Sequence, residues 1–93
     1  MEIKIGKNNH VKVSGELNIY IVTEFKKILS DFLSKNPKSF IIDLSDVKDI
    51  DTSCIQVLLS LKILAKKRNM GYKLVNPSNI VIEAFNLTGI MKN

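Results

Sequence analysis

The spacing of apolar residues switches again and again along this chain, between the period of a strand and the period of a helix. In only 93 residues that alternation leaves few architectures open. Ile3 and Ile5 alternate with Lys4 and Gly6, and Val11 and Val13 alternate with Lys12 and Ser14. Both read as half-buried strands, hairpinned through the turn Lys7-Asn8-Asn9-His10, with Gly15 ending the second. From Ile21 to Lys35 the period lengthens. Ile21, Val22, Phe25, Ile28, Leu29, Phe32 and Leu33 make one apolar stripe, and Asn36-Pro37 stops the helix. Phe40 to Leu44 is a short apolar run between two helical segments, the mark of a buried parallel strand. Ser45 to Ile50 reads as a polar loop.

Ser53 to Asn69 is helical again and apolar over more than one stripe, which predicts contacts on two sides, and Met70-Gly71 closes it. Tyr72 to Val75 is a fourth strand. Ser78 reads as the N-cap of a last helix, striped by Ile80, Val81, Ala84, Phe85 and Leu87 and ended by Gly89. The order β-β-α-β-α-β-α predicts an α/β domain over residues 1–93, a small mixed sheet flanked by helices lying mostly on one face. A chain this short needs most of its apolar residues for its core.

The rest of the composition narrows the function. A formal charge of +5 raises nucleic acid, membrane surfaces and acidic proteins as partners. The lysines are scattered, however, and the densest run, Lys66-Lys67-Arg68, ends a helix, where cations suit the dipole. No aromatic residues interleave with the basic ones as a base-stacking surface requires, so nucleic acid is not expected. One cysteine, Cys54, precludes an intrachain disulfide, and one histidine, His10, precludes the usual zinc site. No apolar run spans a membrane and no leader is evident, so the expected setting is the cytoplasm. No catalytic constellation and no phosphate-cradling glycine loop stand out, which predicts neither enzyme nor cofactor.

Taken in order, Gly15-Glu16-Leu17-Asn18, Ile41-Ile42-Asp43-Leu44-Ser45, Ile50-Asp51-Thr52-Ser53, Leu74-Val75-Asn76-Pro77-Ser78 and Leu87-Thr88-Gly89-Ile90 resemble a STAS domain, and in particular the bacterial anti-sigma factor antagonists. The resemblance covers nearly the whole chain. It implies a protein that binds an anti-sigma factor, itself a serine kinase, and so releases a sigma factor. Phosphorylation then ends the interaction and a phosphatase restores it. The position matching the family's phosphoserine is Ser53, with Thr52 the alternative acceptor. The partner surface implied is Asn18, Ile19, Tyr20, Asp51, Thr52, Ser53 and Cys54. Three departures stand out: Cys54 where the family has glycine, Asn18 where it has aspartate, and a chain that stops at Asn93, before the family's last strand and helix. An apolar face left bare there would favour a homodimer.

These residues also have plainer readings. Ser53 or Thr52 could simply cap a helix, and Asp51 could stabilise the same terminus. Cys54 could be a buried, inert filler. Ile19 and Tyr20 could merely seat the helix that follows them. Asp46, Asp49 and Asp51 carry oxygen ligands for a hard cation, but a solvated loop accounts for them and no metal is expected. Two rival functions remain: a docking subunit of a phospholipid-transport or chemotaxis-linked complex without phospho-switching, and a small-ligand or nucleotide binder.

Overall fold

The alternation at Val11 to Ser14 is the middle of a longer strand. A computed structural model describes residues 1–88 and shows β1 (Glu2–Ile5), β2 (His10–Leu17), α1 (Val22–Leu33), β3 (Ser39–Ile50), α2 (Thr52–Lys67), β4 (Gly71–Val75) and α3 (Asn79–Thr88). Gly89, the predicted end of the last helix, and Ile90 lie outside the described residues. The sheet order is β1-β2-β3-β4. β1 runs antiparallel to β2, while β2, β3 and β4 are mutually parallel. This is the predicted mixed sheet.

One face of the sheet carries the core. Val11, Val13, Phe40, Ile42 and Leu44 are buried against Phe25, Leu29, Phe32 and Leu33 of α1 and Ile55, Leu58 and Leu61 of α2. Alternate residues such as Lys12, Ser14 and Lys73 point the other way and keep contact with solvent. α2 packs on α1 and on β4, which explains its broad apolar surface. Phe40 sits at the centre of an aromatic cluster, stacked on Tyr72 at 4.9 Å and edge-on to Phe32 at 5.6 Å.

Two expectations need correction. Gly15 does not end the second strand, and Ser45 to Ile50 is not a loop. β2 continues to Leu17 and β3 to Ile50, the two pairing from Ser14↔Asp46 to Leu17↔Ile50. The register shifts twice, between Lys12 and Ser14 and again between Gly15 and Glu16, with an additional β3 residue each time. Those shifts break the two-residue period. The buried positions fall at Leu44, Val47 and Ile50 instead of alternating, so the segment looks polar and aperiodic. Gly15 permits the distortion: its φ is +92°, and a Cβ there would sit 3.3 Å from the Met1 Cα. Asp46 and Asp49 are therefore strand residues. Asp46 pairs with Lys12 at 3.1 Å, and Asp49 accepts from the Ile50 N–H.

A polar cluster lies under the other face. Asp43, 7% exposed, accepts from the Ser45 N–H at 3.0 Å and contacts His10 Nε2 at 2.9 Å. Burial disfavours its charged form, but hydrogen bonds from the Ser45 amide, His10, the Ser45 hydroxyl and Asn76 outweigh that and lower its pKa to about 2. His10 thus ends the hairpin turn with a partner thirty-three residues away. Ser78, just before α3, donates its hydroxyl to the Val47 carbonyl at 2.7 Å and its N–H to the Leu44 carbonyl at 3.2 Å, tying that helix to β3.

Candidate functional site

Parallel neighbours end on the same side of a sheet, so the connections leaving β2 and β3 emerge together. The Asp51 N–H donates to the Leu17 carbonyl at 2.9 Å, and the Cys54 thiol to the Asn18 carbonyl at 3.6 Å. These contacts place Asn18, Ile19 and Tyr20 beside Asp51, Thr52, Ser53 and Cys54. The sequence presented these as two separate segments; the sheet brings them together.

The cap of α2 corrects the plain reading of Ser53 and Thr52. Asp51 is the N-cap, and its Oδ1 accepts from the N–H groups of Ser53 at 3.1 Å and Cys54 at 3.4 Å. Thr52 and Ser53 are the first two residues of the helix. Aspartate caps as well as serine does, and Asp51 stands immediately before the helical run, so the cap lies one or two residues ahead of the serine and threonine that the sequence offers. The Ser53 hydroxyl also donates to Asp51 Oδ1. That bond is the largest cause of an Asp51 carboxyl held below its ordinary value; burial opposes it, and the amides of Cys54, Ile19 and Ser53 add to it.

The cap makes a prediction. Asp51→Ala is expected to destabilise the fold by about 1 kcal/mol, lowering Tm by roughly 4–8 °C, whereas Asp51→Asn should stay near wild type because asparagine caps equally well. Thermal unfolding followed by circular dichroism would measure both. Equal losses in the two variants would mean that the charge, and not the cap, stabilises the helix start.

The remaining site residues differ in access. Thr52 is exposed and Ser53 half-buried. Asn18 shapes its loop, its Oδ1 accepting from the Tyr20 N–H at 2.9 Å and its carbonyl from the Ile21 N–H at 3.1 Å. This turn leads into α1, whose N-cap, Ile21, has no side-chain cap. It also turns Ile19 and Tyr20 outward, 64% and 91% exposed. Neither seats the helix; that is done by Phe25 and Leu29. Cys54 is fully buried. Burial pushes its thiol up, the Ser53 hydroxyl acts against this, and the nearby Asp51 charge adds to it, so a reactive thiolate is disfavoured at this helix start.

The site is therefore an exposed rim of one aromatic and one aliphatic side chain beside a helix N-terminus carrying two hydroxyls. Two apolar grooves flank α2 elsewhere, one against α1 between Leu33 and Leu64 and one against β4 between Leu58 and Leu74. Among the described residues no cluster of His, Cys, Asp and Glu side chains could hold a metal, and no helix is long and apolar enough to cross a membrane.

The fold has known relatives. An anti-sigma factor antagonist from Mycobacterium paratuberculosis superposes with a TM-score of 0.83 at 21% identity, over 98% of this chain and 78% of its own. A Thermotoga maritima protein, provisionally assigned as an anti-sigma factor antagonist, gives 0.78 at 28% identity, over 96% and 78%. The Bacillus cell fate determinant SpoIIAA in its phosphorylated form gives 0.70 at 17% identity, over 96% and 83%. Among curated proteins none matches the chain. The family model for the STAS domain matches residues 3–93, and with the mixed sheet and its helix-covered face it establishes that this chain belongs to the STAS-domain family.

Proposed function

We propose that this protein is a non-catalytic, cytoplasmic partner-switching module of the anti-sigma factor antagonist kind. Its docking surface is Asn18, Ile19, Tyr20, Asp51, Thr52, Ser53 and Cys54, with Cys54 a buried support. Its partner is an anti-sigma factor with serine-kinase activity, the acceptor is Ser53 with Thr52 as the alternative, and a phosphatase resets the switch. The observation that carries this reading is the juxtaposition of Ile19 and Tyr20, both largely exposed, with the start of α2. Exposed aromatic and aliphatic side chains are the usual anchors of protein interfaces.

Phosphate on Ser53 would add about −1.5 to −2 charge beside Asp51, which already occupies the Ser53 and Cys54 amides. Two anions would then compete for one helix N-terminus, and the surface next to Tyr20 would change from mixed to strongly negative. That is enough to reverse a docking preference.

A pull-down from native cell extract tests the reading, with wild type, Ser53→Ala and Ser53→Asp as baits and mass spectrometry of both the retained proteins and the chain. The expected result is a kinase-type ATPase retained by wild type and Ser53→Ala, at least tenfold less retained by Ser53→Asp, and phosphate found on Ser53 of the native chain. Retention of one set of transport or chemotaxis proteins by all three baits, with no phosphate, would support the second reading, a passive docking subunit. One observation favours that second reading: the Ser53 hydroxyl is half-buried and already donates to Asp51, so a kinase must first break that bond.

A further inference from the structure

The end of the molecule opposite Ser53 is basic in a way the sequence conceals. Three connections meet there: the β1–β2 turn, the α1–β3 loop and the α2–β4 loop. The Gly71 N–H donates to the Lys38 carbonyl at 2.9 Å, and Asn9 Nδ2 to the Ser39 carbonyl at 3.0 Å, which draws the three together. Between the second and third lies a shallow depression lined by Asn36, Pro37, Lys38, Arg68, Asn69 and Met70.

The cations are Lys7, Lys35, Lys38, Lys66, Lys67 and Arg68, all exposed; the three connections contain no acidic residue, and the last turns of α1 and α2 that lead into them add one, Asp31. Among the described residues none of the six is in an ion pair. The opposite end carries Glu16, Glu24, Asp49 and Asp51 beside a single lysine of β3, Lys48. Lys66, Lys67 and Arg68 have an ordinary account as cations at a helix C-terminus. Lys7 and Lys38 lie outside the α-helices, and the account does not explain why all six share one end.

We propose that this basic end docks on an anionic lipid surface. The favoured occupant follows from what the end lacks. All four phenylalanines are buried, Tyr72 is half-buried with its hydroxyl on the Leu58 carbonyl, and Tyr20 lies at the other end. The end therefore presents no aromatic anchor for a protein partner and no platform for stacked bases. It also presents the C-termini of α1 and α2, whose partial negative charge works against close contact with single phosphates, where a helix N-terminus would invite them. A flat, diffuse negative surface needs only long, mobile lysines, each strengthening adsorption about fivefold. Adsorption through this end would leave Ser53 and Tyr20 facing the aqueous phase. The proposal is independent of the partner-switching reading.

Co-sedimentation of the full chain with vesicles tests it. Binding is expected to mixed phosphatidylglycerol–phosphatidylcholine vesicles and not to phosphatidylcholine alone, and to vanish as ionic strength rises from about 0.05 to about 0.5 M, where screening shortens to a few ångströms. The pairs Lys35→Gln/Lys38→Gln and Lys66→Gln/Lys67→Gln are each expected to weaken binding roughly twentyfold. The pair Lys26→Gln/Lys27→Gln, which removes equal charge from the side of α1, should change it less than threefold. All six positions are exposed, and circular dichroism would check that each variant folds. Absence of binding to the mixed vesicles overturns the proposal. So does an equal loss in the α1 pair, which would reduce the effect to whole-chain charge. Tighter binding to duplex DNA than to the vesicles at the same ionic strength would assign the surface to nucleic acid instead.

Discussion

Phe40→Ala is expected to remove about 3–5 kcal/mol of stability, the largest loss of any single substitution considered for this chain. Phe40 is 2% exposed and lies between Tyr72, stacked at 4.9 Å, and Phe32, edge-on at 5.6 Å. Truncation would open a cavity that touches β3, β4 and α1 at once. Since β3 is an inner strand of the sheet and lies under α1 and α2, none of the walls can relax without moving the others. A domain of this size has a total stability of roughly 5–10 kcal/mol, so the variant should be near or beyond its folding limit at 37 °C. Urea unfolding followed by fluorescence and circular dichroism would give the value. Phe40→Leu should lose about half as much, because it keeps most of the volume and forfeits the ring contacts. A loss below about 1 kcal/mol for Phe40→Ala would mean that the core collapses freely around β3 and is not packed as described.

Acid should weaken the fold through Asp43, and substitution of this residue has the second-largest effect. Its pKa is about 2 in the folded state against an ordinary value of 3.8. A depressed carboxylate stabilises the fold above its unfolded pKa, and that stability is lost as pH falls through the folded value. The contribution is therefore complete above about pH 4 and disappears between about pH 4 and pH 2, amounting to about 2 kcal/mol. Asp43→Ala is expected to lose about 2–3 kcal/mol at pH 7, because it removes the charged acceptor shared by the Ser45 amide and the His10 and Asn76 side chains. Asp43→Asn keeps an acceptor for Ser45 and should lose less. In both variants the fall of stability below pH 4 should flatten by about the same 2 kcal/mol. Denaturant midpoints taken from pH 7 to pH 2 would show it, and an acid limb as steep in Asp43→Asn as in wild type would transfer the effect to other carboxylates.

Fold and candidate site were legible to different degrees. The element order could be read directly, because hydrophobic period is a local property. The helical stripe from Val22 to Leu33, the stop at Asn36-Pro37 and the short strand Tyr72 to Val75 each depend on residues within a few positions of one another. The stretch from Ser45 to Ile50 was not legible. Its strand character comes from pairing with β2, and the two register shifts erase the period that would have announced it. The identity of the helix cap was legible in principle, since Asp51 and Ser53 both suit the position, and the backbone alone chose Asp51.

By itself, then, the sequence determined which segments become strands and helices, their order, and therefore the kind of sheet that could cover itself with helices on one face. Those are consequences of propensity and local spacing. The tertiary structure decided what required distance in the chain to become distance in space: that His10 meets Asp43, that Ile19 and Tyr20 stand exposed beside Ser53, and that cations from three separate turns share one end. The physical reason is that parallel pairing of β2, β3 and β4 fixes which connections share an end, and neither side-chain contact nor surface charge exists until those strands are in register.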